Sequence, residues 1–527
     1  MASKHTMAAN PRAGIGRLRA ATLTVALALC GCPAVDEDPA RAPEHAPGGA
    51  PPTAQADGSA AVPRVILVIS IDTLRADHLG TYGYERFTSP ILDAFAAQGV
   101  VFEDASSPAP WTLPAHASLL TGRFPASHGV TTVRTGLPAQ VPTLASLLAR
   151  AGYVTAAVVN STWLKPEEFG LTREFTRHVF VPDDPSRRSP NRAVTDQAME
   201  WLRETRSRRL FVFAHYYDVH SDYASEPAYE RLFVGPYDGI ADGTAWQLTL
   251  ANLEDDYLEM CHQRFDPAKC TFAAAGGQNL IDEKVERLRF DEADVRHLVD
   301  LYDAGIRQFD TELGRLLGFL DEQGLSDETL VVVTSDHGEE FMEHGRVDHF
   351  LTTYQEVLRV PLILRGPGVP AGLRVAAPVS LVDVVPTVLG LAGAAAPAGL
   401  DGVDLSRLWR EGDPLALDER LVFGEASGGL TFELVVGENY FPIYSSVRQG
   451  RFKLVHDTKS DRDALYDLAA DPREQRDVAA AHPELAARLG GILRARRDCE
   501  GCGEQPGVPV ALPPEDAERL RALGYVP

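Results

Sequence analysis

Four short runs dictate what this chain can become. "RVILVIS" (64–70), "LFVFAHY" (210–216), "TLVVVTS" (329–335) and "VPLILR" (360–365) are almost unbroken in apolar residues, and each has the length of a strand. A strand with polar residues at alternate positions can leave one face in water, but runs like these need cover on both faces. The intervening segments supply it: "SPILDAFAAQG", "LPAHASLLTG" and "TLASLLARAG" have helical spacing, and a long amphipathic pattern fills roughly 291–323. The alternation predicts an α/β fold, a mostly parallel central sheet with helices on both faces. Beyond residue 420 the pattern changes to shorter strands, "YSSVRQGRFKLVHD" and "ALYDLAADPREQRDV", which predict a small C-terminal antiparallel subdomain.

Ligands of such sheets collect outside the carboxyl ends of the strands. Asp72 follows the first run, His220 the second, and Asp336 and His337 the third. Thr112, in "WTLPAHASLLTG", opens a predicted helix, and two readings of it stay open. It can cap the helix with its hydroxyl, or it can be the nucleophile of a hydrolase, beside free N–H groups and the positive end of the helix dipole. His215, at the end of an apolar run, reads as a buried structural histidine.

The formal charge of −24 argues against nucleic acid or an anionic membrane surface as the main partner. An anionic ester substrate then needs a local positive centre. Asp72, Asp336 and His337 offer two carboxylates and an imidazole to one divalent cation, a set that suits calcium, magnesium, manganese or zinc. Only this one set of ligands is visible in the sequence.

The ends of the chain have their own character. Residues 1–31 join Lys4, Arg12, Arg17 and Arg19 to a short apolar stretch, the pattern of a signal peptide. Its end, Leu29-Cys30-Gly31-Cys32, resembles a bacterial lipobox, so a lipid on Cys32 and a periplasmic or cell-surface location are expected, with Cys30 the alternative processing site. Residues 32–62, rich in Pro, Ala and Gly, read as a disordered linker, 63–420 as the catalytic domain and 421–527 as the C-terminal subdomain. Short spacings suggest the disulfides Cys261–Cys270 and Cys499–Cys502.

Five stretches in order, "ILVISIDTLRADHLGTYGY", "WTLPAHASLLTGRFPASHGV", "AGYVTAAVVNSTWL", "HYYDVH" and "TSDHGEEFMEHG", resemble the sulfatase family of the alkaline phosphatase superfamily. The resemblance runs over about 64–480. It implies a hydrolase of sulfuric or phosphoric esters with metal ligands at Asp72, Asp336 and His337. It places Thr112 where sulfatases carry the Cys or Ser converted to formylglycine, Pro114 on the motif's Pro, and His116 where the motif has Arg. Oxidising a threonine would give a ketone, so no formylglycine is expected, and a threonine acting directly on phosphorus fits better. The resemblance also makes His220 a proton donor to the leaving oxygen, His349 a substrate-facing side chain and Asn160 an amide donor to an anionic oxygen. The resulting expectation is cleavage of phosphate mono- or diesters or phosphonates through Thr112, on a small, glycan or lipid ester. Sulfate-ester cleavage by an unusual mechanism, headgroup transfer and an inactive binding protein are the alternatives.

Overall fold

The computed structural model describes residues 62–165, 168–182, 190–204, 207–263, 271–274, 277–280, 285–426, 443–497, 507–510 and 512–517. The signal peptide, nearly all of the linker, and Cys270, Cys499 and Cys502 lie outside the described residues; Cys261 is buried and disulfide-bonded. Among the described residues no helix is long and apolar enough to cross a membrane.

A nine-stranded sheet organises the domain. Val65–Ile71 lies between Leu210–Tyr216 and Thr329–Ser335, parallel to both, and all three strands are buried along their whole length. Val154–Val159 and Arg177–Phe180 continue the parallel set on one side. On the other side Arg359–Arg365 runs against both its neighbours, Thr329–Ser335 and Val100–Ser106. Its direction has a simple cause: the chain leaves the sheet at Ser335, makes the excursion 336–358, and returns beside the strand it left.

Alternation along the strands sorts the core into two layers. Ile66, Val68, Phe211, Phe213, Leu330 and Val332 pack with the helices Thr112–Thr121, Leu144–Arg150 and Val384–Leu391. Val65, Leu67, Ile69, Val212, Val331 and Val333 face the helices Pro90–Ala96, Asn191–Glu204 and Glu292–Glu322. Each such side chain contributes about 1.5–3 kcal/mol of transfer free energy. Both faces are therefore covered, as the apolar runs require.

The C-terminal strands Leu421–Glu425, Tyr444–Gln449, Phe452–Asp457 and Arg462–Asp467 form an antiparallel sheet. Helix Pro483–Arg497 covers it through Leu489 and Leu493, and the same cluster takes in Phe124 and Val382 from the first part of the chain. Two ion pairs reinforce the junction: Arg420 to the buried Asp383 at 2.8 Å, and Arg448 to Asp104 at 2.7 Å.

The long helix also positions a functional loop. Asp291 caps it, accepting from the N–H groups of Ala293 and Asp294 while the Asp294 side chain accepts from Asp291 N–H. Two turns further on than its first buried leucine, at Gly305, the helix backbone lies against the turn that carries His220: a Cβ there would stand 2.7 Å from the Asp218 carbonyl oxygen. Because the obstacle is backbone, Gly305→Ala must move the turn. We expect a loss of about 1–3 kcal/mol in chemical denaturation, typical of an overpacked core, together with reduced turnover; unchanged stability would show that the close approach does not exist.

Candidate active site

Strand register builds the centre. Ile71 pairs with both Tyr216 and Ser335, so Asp72 and Asp336, the next residues of adjacent parallel strands, stand side by side. Asp72 N–H donates to Tyr216 O, and the Ser335 hydroxyl donates to Ile71 O, which ties the three strand ends together. Thr73, with φ 55°, turns the chain sharply after Asp72. Asp336 Oδ1 accepts from Thr73 N–H and His337 N–H, whereas its Oδ2 and both Asp72 oxygens make no hydrogen bond although fully buried.

Three orphaned carboxylate oxygens in one buried place fit a cation. His337 completes the set: Nε2 lies 3.4 Å from Asp336 Oδ2 and 3.6 Å from Asp72 Oδ1. Its Nδ1 faces the Gly338 carbonyl at 3.0 Å and must carry the proton, which leaves the Nε2 lone pair for a metal. Burial and the neighbouring Asp72 hold the Asp336 carboxyl well above its usual range. Asp72 is held below its usual range, because His215, His220 and His337 outweigh its burial. The pair is stable as two carboxylates only when positive charge is supplied.

Thr112 resolves the first ambiguity of the sequence. The helix N-cap is Trp111, in an extended conformation and without a side-chain cap; Thr112 is the first helical residue. Its hydroxyl does not cap the helix but points to His337 Nε2 at 3.5 Å. The fully buried His116, one turn on, sets Nδ1 2.9 Å from Thr112 O and 3.4 Å from Asp336 Oδ2, and Nε2 2.9 Å from Ser70 Oγ. Burial pulls its pKa down to about 3, so the ring is neutral where the family motif carries a permanent cation.

The remaining expected residues lie around this core. His220 stacks on Tyr217, and burial keeps its ring neutral. His349 stands against His337 and His220, with ring centroids 4.4 and 5.0 Å away. Its Nδ1 is held by Asp348 at 2.8 Å and Glu339 at 3.1 Å; against the burial, these two carboxylates raise its pKa well above the ordinary value. Burial in turn lifts Glu339 to about 7. Asp348 and Phe350, on either side of His349, both have positive φ, 70° and 96°, a strained backbone that aims the ring.

Asn160 follows Val159 at the adjacent strand end, and its Oδ1 accepts from His215 Nδ1 at 2.9 Å, leaving the amide nitrogen without a hydrogen bond. His215 is the residue that sequence reasoning set aside. Far from being a bystander in the core, it places Nε2 3.4 Å from Asp72 Oδ2 and groups with His116 and Asp336 as potential metal ligands. The period-two pattern held the signal: Phe211, Phe213 and His215 share the face that meets the Thr112 helix. Asp218, two residues before His220, accepts a hydrogen bond from Gln308 at 2.5 Å.

Comparison with known proteins identifies the family. Residues 64–394 match the Sulfatase family model, and 342–494 match that for the N-sulphoglucosamine sulphohydrolase C-terminal region. The chain belongs to the sulfatase family. It is similar to arylsulfatase K of Mus musculus, 25% identical with 82% of this chain and 79% of the relative covered, and to the steryl-sulfatase of the same organism, 28% identical with 84% and 83% covered. The ulvan-active sulfatase of Formosa agariphila is 27% identical, with 79% and 77% covered. Among solved structures the fold matches a protein in complex with its substrate D-glucosamine-2-N,6-O-disulfate, with a TM-score of 0.64, 20% identity and 84% and 99% of the chains covered. It also matches the phosphonate monoester hydrolase of Agrobacterium radiobacter, with a TM-score of 0.63, 23% identity and 82% and 95% covered. The chain is thus a sulfatase-family hydrolase, and enzymes of this family use a divalent metal.

The electrostatics predict the behaviour of the metal-free protein. A carboxyl whose folded-state pKa is raised adds stability below its unfolded value, and that stability is lost as pH rises. In chelator, Asp336→Asn should therefore raise the thermal midpoint at pH 7 and change it little at pH 4. Adding a divalent cation should stabilise the wild-type chain and not the variant. A variant less stable than wild type in chelator at pH 7 would contradict the reading of this carboxylate pair.

Proposed function

We propose that this protein hydrolyses phosphate mono- or diesters or phosphonates through a covalent intermediate on Thr112. The observation that carries the reading is the placement of Thr112: a buried hydroxyl at the first residue of a helix, released from capping, 3.5 Å from a ligand of the metal centre, in the position where sulfatases carry a convertible Cys or Ser. Asp72, Asp336 and His337 would hold a divalent cation, which would supply positive charge to stabilise the anionic ester.

The chain's own residues do the rest. Thr112 Oγ1, its proton passed to water, attacks phosphorus in line with the departing ester oxygen, and the bond from phosphorus to that oxygen breaks as the new bond forms. The backbone N–H groups of the helix start face the anion. The sequence assigned the leaving-group proton to His220, but burial keeps that ring neutral; His349, held cationic by Asp348 and Glu339, is the better donor, and its Nε2 makes no hydrogen bond. The unpaired Asn160 amide donates to an ester oxygen. Water then hydrolyses the Thr112 ester.

The similar proteins named for ulvan and for a disulfated glucosamine support an anionic ester on a sugar or other small organic group as the substrate class. The signal-peptide pattern and Cys32 support action at the periplasmic or outer face of a bacterial membrane.

The test is turnover of matched p-nitrophenyl sulfate, phosphate, bis-phosphate and phenylphosphonate esters. Phosphorus esters should be preferred, Thr112→Ala should lower kcat by about 10³-fold or more, and acid-quenched enzyme should carry phosphate on the peptide that contains Thr112. Preference for the sulfate ester, or full activity in Thr112→Ala, would return the hydroxyl to a structural role. Asp348→Asn removes a negative partner of His349, so the alkaline limb of the kcat profile should move to lower pH. An unmoved limb would exclude His349 as the acid.

A further inference from the structure

We propose that the centre holds a second divalent cation, on His116, His215 and Asp336, with Asp336 shared between the two ions. Three buried side chains from three separate elements converge there: the first turn of the Thr112 helix, the end of the Leu210–Tyr216 strand, and the loop after Thr329–Ser335. All are fully buried.

Hydrogen bonding fixes which nitrogen of His215 is open to a cation. Its Nδ1 faces Asn160 Oδ1 at 2.9 Å, a pure acceptor in this orientation, so Nδ1 carries the proton and Nε2 presents its lone pair to the carboxylates, making no hydrogen bond there. This repeats the arrangement at His337, where the Gly338 carbonyl plays the part of Asn160. Two histidines with committed Nδ1 protons thus approach the aspartate pair, His337 and His215, each within reach of one Asp72 oxygen.

His116 completes the second set from the Asp336 side, with Nδ1 3.4 Å from Oδ2. Its other nitrogen faces Ser70 Oγ, and a hydroxyl can accept as well as donate. The ring can therefore move its proton to Nε2, exchanging the contact from Nδ1 to Thr112 O for a bond to the cation. The 3.4 Å spacings of His116, His215 and His337 from their carboxylate oxygens also match the edge of a tetrahedron with bonds of about 2.1 Å, the usual length for nitrogen and oxygen on zinc.

Charge balance points the same way. One divalent ion only neutralises the two carboxylates Asp72 and Asp336. A second ion restores a net positive centre beside Thr112. The two imidazoles favour zinc over calcium there. This inference shares the aspartate pair with the proposed function but holds whether the ester is a phosphate or a sulfate.

The test is metal content of the full chain after equilibrium dialysis against zinc or manganese. Wild type should retain two ions per chain; His215→Ala and His116→Gln should each retain one, and Asp336→Asn should lose both. The manganese-loaded wild type should give an exchange-coupled electron paramagnetic resonance spectrum, a measurement that needs no variant to fold. A single ion in wild type with an uncoupled spectrum would overturn the second site while leaving the first intact. Two ions retained in a folded His215→Ala would equally overturn it, and no retained ion at all would overturn both centres.

Discussion

The enforced closeness of two buried carboxylates, Asp72 and Asp336, is the constraint on which the rest of the structure depends. Neither side chain chose its neighbour: in-register parallel pairing of Val65–Ile71 with Thr329–Ser335 delivers both to the same point. That pairing is secured by a core on each face of the sheet, so the repulsion cannot relax by letting the strands slip without turning apolar residues to the wrong layer. Folding energy spread over dozens of side chains thus holds a local arrangement that is unfavourable until a cation arrives.

The same logic explains where the backbone is strained. Thr73 beside Asp72, Asp222 just past His220, and Asp348 and Phe350 around His349 all adopt positive φ without being glycine. Each stands within two residues of a site side chain. All four lie in connections that follow the central strands, where the strain aims rings. The excursion 336–358 is the extreme case: one connection supplies Asp336, His337, Glu339, Asp348 and His349 before Arg359–Arg365 re-enters the sheet.

Much of this was legible in the sequence because it rests on short-range pattern. Strand runs announce a covered sheet, and a residue immediately after such a run needs no tertiary knowledge to be placed at the ligand edge; Asp72 and Asp336 were found that way, whereas Asn160 came only from the family resemblance. What the pattern hid has physical causes. The antiparallel return of Arg359–Arg365 depends on the path of the excursion, which hydropathy does not encode. His215 was hidden by its company, since a polar residue ending an apolar run looks like core until the helix across from it is known to carry His116. Glu339 and Asp348 carry no sequence pattern that links them to His349, and only the folded loop shows both closing on one imidazole.

Thr112 shows why local signals and function part company. A threonine ahead of Leu-Pro-Ala has every feature of a cap, yet a cap needs non-helical backbone at the residue that supplies the oxygen. Here that conformation belongs to Trp111, φ −160°, whose buried indole cannot serve. Moving the helix start by one residue leaves the hydroxyl of Thr112 unused by its own helix and turns it toward His337. A side chain freed from local hydrogen bonding in a buried, electrostatically loaded place has few structural reasons to be polar. The nucleophilic role proposed for Thr112 would be a functional one.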